Sequence, residues 1–129
     1  MIAAVLDASA LLAMLREEPG GERIAPVLRF SAMTTVNFGE VIGFYARRGA
    51  TEEDIRDRIG ELPVARVPLD EELACAAGMM LPLTLRAGLS FGDRACLALA
   101  RRLKVKAVTA DRPWSRVADA VGVEIELIR

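Results

Sequence analysis

The chain has 129 residues, and Lys+Arg 17 stands against Asp+Glu 18, so it reads as one near-neutral domain of 53% hydrophobic and 27% charged residues, far from the composition of disorder. It contains no histidine, which excludes Ser-His-Asp catalysis, histidine proton shuttling and His-bearing zinc sites together. Cys75 and Cys96 are too few and too far apart for a CxxC metal or redox motif, which points to a reduced, cytoplasmic protein.

In chain order, residues 2–6 form an apolar run that predicts a strand ending at Asp7, and residues 8–15 predict a helix closed by Glu18-Pro19-Gly20-Gly21. This apolar start is interrupted by Asp7 and has no basic segment before it, so it is expected to belong to the fold and not to a membrane. Residues 22–28 predict a short helix, 32–35 a strand, and 37–48 an apolar helix that stops at Gly49 with two arginines in its last turn. Thr51 and Asp54 make a capping box for a helix over 52–62. Residues 65–67 read as a third strand, and Asp70 caps a helix over 71–80 that Pro82 ends. Ser90 caps 91–103, residues 107–109 are a β-rich run ending near Asp111, 113–121 are helical, and 123–128 alternate like an edge strand. No GxGxxG or GxxxxGK[ST] motif occurs.

This alternation predicts right-handed crossovers and a single α/β domain over residues 1–129, with a mostly parallel central sheet and helices on both faces. Ligands in such sheets bind beyond the carboxyl ends of the strands, where Asp7 and Asp111 both fall. Each is also placed to cap the helix that follows it. Glu40 lies in an apolar helix and shares a face with Asn37 and Phe44, so it either enters a polar crevice, bears a burial penalty or faces solvent. Asp93 completes a capping box with Ser90, yet Gly92 before it weakens a first turn unless something must approach closely; a metal or phosphate would supply the reason.

If Asp7, Glu40, Asp93 and Asp111 converge, their mutual repulsion calls for a cation. Oxygen-only ligands favour Mg²⁺ or Mn²⁺ over Zn²⁺, and such ions assist phosphodiester hydrolysis without histidine. Setting those four aside leaves 14 acids against 17 bases, 15 of them arginine, whose planar fork suits phosphate. Arg94 and Arg112 adjoin the site acids and are candidate RNA contacts, whereas Arg101 and Arg102 read as solvated helix faces. Ser9 and Thr109 are placed to orient the carboxylates or to act as local caps. Trp114 reads as core, and Asp70 and Asp119 as capping and solvent-facing groups.

Four motifs, Val5-Leu6-Asp7-Ala8-Ser9-Ala10-Leu11, the Glu40 helix, Gly88-Leu89-Ser90-Phe91-Gly92-Asp93-Arg94-Ala95 and Thr109-Ala110-Asp111-Arg112, together resemble the PIN-domain ribonucleases, specifically the VapC-type toxins of bacterial toxin–antitoxin pairs. The resemblance covers essentially the whole chain. It implies a three-layer α/β/α fold and a Mg²⁺- or Mn²⁺-dependent endoribonuclease, with Asp7, Glu40, Asp93 and Asp111 as catalytic and metal-binding acids and Ser9 and Thr109 as auxiliary polar groups. It also implies an RNA substrate, a homodimer and a VapB-type antitoxin partner.

Two other readings stand beside it. A haloacid-dehalogenase-like phosphatase would also place Asp7 at the end of a first strand, but it usually has a second Asp where Ser9 stands. A non-catalytic interaction module would bind a partner's arginines with the acids and use the apolar residues of 38–48 and 73–83 for helix-in-groove docking.

Overall fold

In the computed structural model, which describes residues 1–129, the short apolar runs pair into one parallel sheet. The strands are β1 (Ala4–Leu6), β2 (Ser31–Thr34), β3 (Ala65–Val67), β4 (Lys106–Thr109) and β5 (Ile125–Leu127), in spatial order β3-β2-β1-β4-β5. Val5 stands opposite Ala32 on one side and Ala107 on the other, which fixes the register at the centre of the sheet.

Period-two alternation splits each central strand between two apolar layers, as a sheet covered on both faces requires. Val5, Ala32 and Ala107 join one core cluster, while Ala4, Leu6, Met33 and Val108 join the other. The helices α1 (Ala8–Leu15), α2 (Thr35–Arg47) and α3 (Glu52–Ile59) supply the second cluster. The first cluster takes its helical residues from α4 (Glu71–Met79), α6 (Phe91–Leu103) and α7 (Ala118–Val121), with the short α5 (Leu81–Thr84) following α4. The result is a three-layer α/β/α domain, as the alternation of elements predicts. Trp114 is fully buried in the first cluster, in keeping with a core role.

Two local expectations are corrected. Residues 22–28 are not an α-helix but two 3₁₀ turns, Gly21–Arg23 and Ala25–Phe30. Residues 113–121 divide into a 3₁₀ turn, Arg112–Arg116, and the single turn of α7. Segments this short gain too few i→i−4 bonds to offset nucleation. Pro82 ends α4 as expected, but it also opens α5 from its first turn. No helix is long and apolar enough to cross a membrane.

The chain winds from β1 to β2 and β3 in one direction, and β4 and β5 lie on the other side of β1. A crevice therefore opens beyond the carboxyl ends of β1 and β4, where neighbouring connections leave in opposite directions.

Candidate active site

Four elements each deliver one acid to that crevice. Asp7 leaves the end of β1, Asp111 follows β4, Glu40 projects from α2 and Asp93 from the first turn of α6; all four line one opening of about 920 Å³. The capping readings are answered individually. Asp7 does cap α1, its Oδ1 accepting from the Ala10 amide at 2.9 Å, and it lines the crevice as well. Asp93 keeps its capping box, with Oδ2 accepting from the Ser90 amide at 2.8 Å. Asp111 makes no side-chain cap and is exposed, so its carboxylate is uncommitted.

Asp7 is the buried member, only 4% exposed. The Ser9 hydroxyl donates to its Oδ1 at 2.7 Å and the Thr109 hydroxyl to its Oδ2 at 2.6 Å. The same two hydroxyls accept from the Ala110 and Asp111 amides, so each is used once as donor and once as acceptor. This lattice ties the end of β1 to the end of β4 and fixes the orientation of the carboxylate. Burial nevertheless dominates, and with the nearby Asp93 charge it pushes the Asp7 carboxyl up to about 6 against the lowering effect of its hydrogen bonds. Burial likewise raises the Asp93 carboxyl, with repulsion from Asp111 added and attraction from Arg94 opposed. The buried Cys96 thiol is raised by burial first, then by the charges of Asp7, Asp93 and Glu40.

Glu40 is exposed into the crevice and held there. The buried Asn37 amide group donates to Glu40 Oε1 at 2.7 Å and to the Gly92 carbonyl at 3.1 Å, bridging α2 to α6. This explains Gly92 differently from the sequence expectation: a Cβ there would lie 2.6 Å from Glu40 Oε2, so the close approach is made by the glutamate itself.

Both oxygens of Asp111, Glu40 Oε2 and Asp93 Oδ1 receive no hydrogen bond from the protein, so hard oxygen lone pairs remain for a cation. No group of three or more acidic, Cys or His side chains is drawn tightly enough to enclose a bare ion. A hard cation that keeps several of its own waters is the kind such oxygens could hold.

Neither expected RNA contact lines the opening. Arg94 is buried, donates from Nη1 to the Ala77 carbonyl at 3.0 Å and packs near the Phe91 ring, because adjacent helix residues point in different directions and Asp93 takes the crevice side. Arg112 is exposed but lies outside the crevice lining. The lining includes Phe44, Arg47 and Arg48 instead. The signal was available in the sequence: Glu40, Gly43, Phe44 and Arg47 follow i, i+3, i+4, i+7 spacing and share a helix face.

The sequence matches the PIN domain family over residues 4–120. The chain belongs to that family. No curated protein matches it. Among solved structures it is similar to DNA-bound VapBC from Salmonella typhimurium, at 18% identity over 100% of both chains with a TM-score of 0.74. VapBC-1 from nontypeable Haemophilus influenzae is 17% identical over 98% of each chain, TM-score 0.72. The sarcin-ricin loop cleaving toxin VapC20 of Mycobacterium tuberculosis is 18% identical over 88% of this chain and 94% of that one, TM-score 0.70. These likenesses concern the fold, which in this PIN domain places the four acids at the sheet's switch point.

Proposed function

We propose that this PIN domain is a VapC-type toxin, an endoribonuclease dependent on Mg²⁺ or Mn²⁺ and restrained by a VapB-type antitoxin. The observation that carries the reading is the convergence of Asp7, Glu40, Asp93 and Asp111 from four separate elements on one open crevice. A bound divalent ion supplies Lewis acidity there, acidifying a water and offsetting charge on the leaving oxygen of a phosphodiester. Asp7, held by Ser9 and Thr109, anchors the site in a fixed orientation. Glu40, held by Asn37, and Asp93, held by its own helix start, present free oxygens from the opposite wall. Asp111 is exposed, and its uncommitted carboxylate would add oxygen ligands to a bound ion.

The similar structures named VapBC support the antitoxin partner, and the cleavage of the sarcin-ricin loop by the similar VapC20 supports RNA as substrate. An apolar groove of about 610 Å³ between α2 and α3, lined by Phe38, Ile42, Ala46, Ile55 and Ile59, suits one face of an antitoxin helix. Met79, Leu81, Leu83 and Leu85 are exposed together around α5 and suit a homodimer contact.

The phosphatase reading has less support. Ser9 occupies the place of a second Asp and its hydroxyl is committed on both sides, while Lys106 begins β4 at the far end from Asp111 and pairs with Glu126 at 2.6 Å. The test is RNA cleavage in Mg²⁺ by the protein freed of any partner. Asp7→Asn and Asp93→Asn should each abolish cleavage with circular dichroism unchanged; a double variant that cuts RNA in the presence of chelator would end the proposal.

A further inference from the structure

The crevice has an acidic end and a basic end on the same helix face. Glu40 and Arg47 stand about 10 Å apart along α2, the span of roughly three stacked nucleotides and fewer of an extended strand. Two arginines flank the Phe44 ring at the basic end, and both are engaged. Arg16 pairs with Glu18 at 2.7 Å and lies 4.6 Å from the Phe44 ring centre. Arg48 lies 3.5 Å from the same ring centre and donates to the Phe44 carbonyl at 3.2 Å. With two guanidinium groups on one ring, Phe44 acts as a post for cations and not as a platform for a base.

Arg47 differs from both neighbours. It is exposed, lines the crevice, and takes part in none of the six ion pairs, in no side-chain hydrogen bond and in no aromatic contact. Gly43, one turn before it, presents open space on the same face, so no side chain there screens it from the acids. A free guanidinium fork is matched in shape and charge to a phosphate.

The crevice carries no free neutral side chain for reading base edges. Its only neutral hydrogen-bonding side chain is Ser9, and that hydroxyl is consumed by Asp7 and the Ala110 amide. A contact to phosphate carries no base information of its own.

We propose that Arg47 is a positioning residue that grips a backbone phosphate of the RNA strand flanking the bond to be cut, and that this grip is blind to base identity. The inference rests on the ribonuclease reading and adds to it the end of the crevice at which the flanking strand lies.

Binding is measured in an Asp93→Asn background with Mg²⁺, using short fluorescent oligo-A, oligo-U and oligo-C RNAs across a range of KCl. Arg47→Ala should weaken all three by the same factor, about tenfold for one charge-assisted contact. It should also lower the slope of log affinity against log salt by about 0.7, the contribution of one phosphate on a single strand. Arg47→Lys should recover the slope, and Arg101→Ala, on an exposed turn of α6, should change neither quantity. Unchanged affinity and slope for Arg47→Ala, a loss confined to one base, or no binding in the Asp93→Asn background would each overturn the proposal. Cleavage by the wild-type chain is read in parallel: RNA that is bound through Arg47 but never cut contradicts the ribonuclease reading and leaves the phosphate grip standing.

Discussion

Replacing Asp7 by asparagine should abolish catalysis and yet stabilise the metal-free protein at neutral pH. Burial lifts the Asp7 carboxyl from its ordinary 3.8 to about 6, so the folded chain holds that proton more tightly than the unfolded chain does. Between those two values the native state binds more protons, and stability therefore falls as pH rises through the window and levels off above it. At about 1.4 kcal/mol per tenfold change in proton affinity, the whole loss is about 3 kcal/mol. Asparagine carries no charge to desolvate and still accepts from Ser9 and the Ala10 amide, but its NH₂ group would meet Thr109 as donor against donor, costing about 1 kcal/mol. The net gain at neutral pH is then about 2 kcal/mol. Urea unfolding in EDTA from about pH 4 to pH 8 checks this, since the Asp93 carboxyl is also raised by burial in both proteins and the difference between them isolates the Asp7 charge together with its coupling to Asp93. The variant should gain on the wild type by about 2.5 kcal/mol across the range, and Mg²⁺ at the upper end should restore the wild type alone. Stability curves that stay parallel would refute the burial argument.

Thr109→Val keeps the shape but removes a donor to Asp7 and the acceptor of the Asp111 amide, at a cost of about 2–4 kcal/mol. The Asp7 carboxyl should titrate above its wild-type midpoint when followed by carbon NMR in metal-free protein; a midpoint at or below it would contradict the hydrogen-bond lattice. Gly92→Ala places a Cβ 2.6 Å from Glu40 Oε2, a flexible tip that can move, and alanine favours the helix by up to about 1 kcal/mol. Unfolding should thus be unchanged or slightly harder while RNA cleavage drops, and full activity would show that Glu40 need not sit where it does. Gly21→Ala meets backbone, with Ala13 O at 2.1 Å, and should lower stability by at least about 1–3 kcal/mol in thermal unfolding with the crevice untouched.

The fold was legible because each central strand carries its own instruction: Ala4, Val5 and Leu6 are all apolar, as only a strand covered on both faces requires, and capping residues mark the start of most helices. The acids were legible from their positions after strands and, for Glu40, from its isolation in an apolar helix. What stayed hidden depends on direction within an element. Asp93 and Arg94 are neighbours in the chain yet face the crevice and the core, whereas Glu40 and Arg47 are seven apart and face the same opening. The purpose of Gly92 was hidden for another reason, since the group it admits comes from α2, more than fifty residues earlier. The 3₁₀ turns at Ala25–Phe30 and Arg112–Arg116 carry the composition of helices, and only their brevity between packed strands decides otherwise.

The most direct measurement is anomalous scattering from crystals grown or soaked with Mn²⁺. The account predicts a peak within the crevice, bonded to oxygen of one or two of Asp7, Glu40, Asp93 and Asp111 at about 2.0–2.3 Å, with waters completing the octahedron. Saturating Mn²⁺ that leaves the crevice without a peak, or a peak held only by other residues, would contradict it.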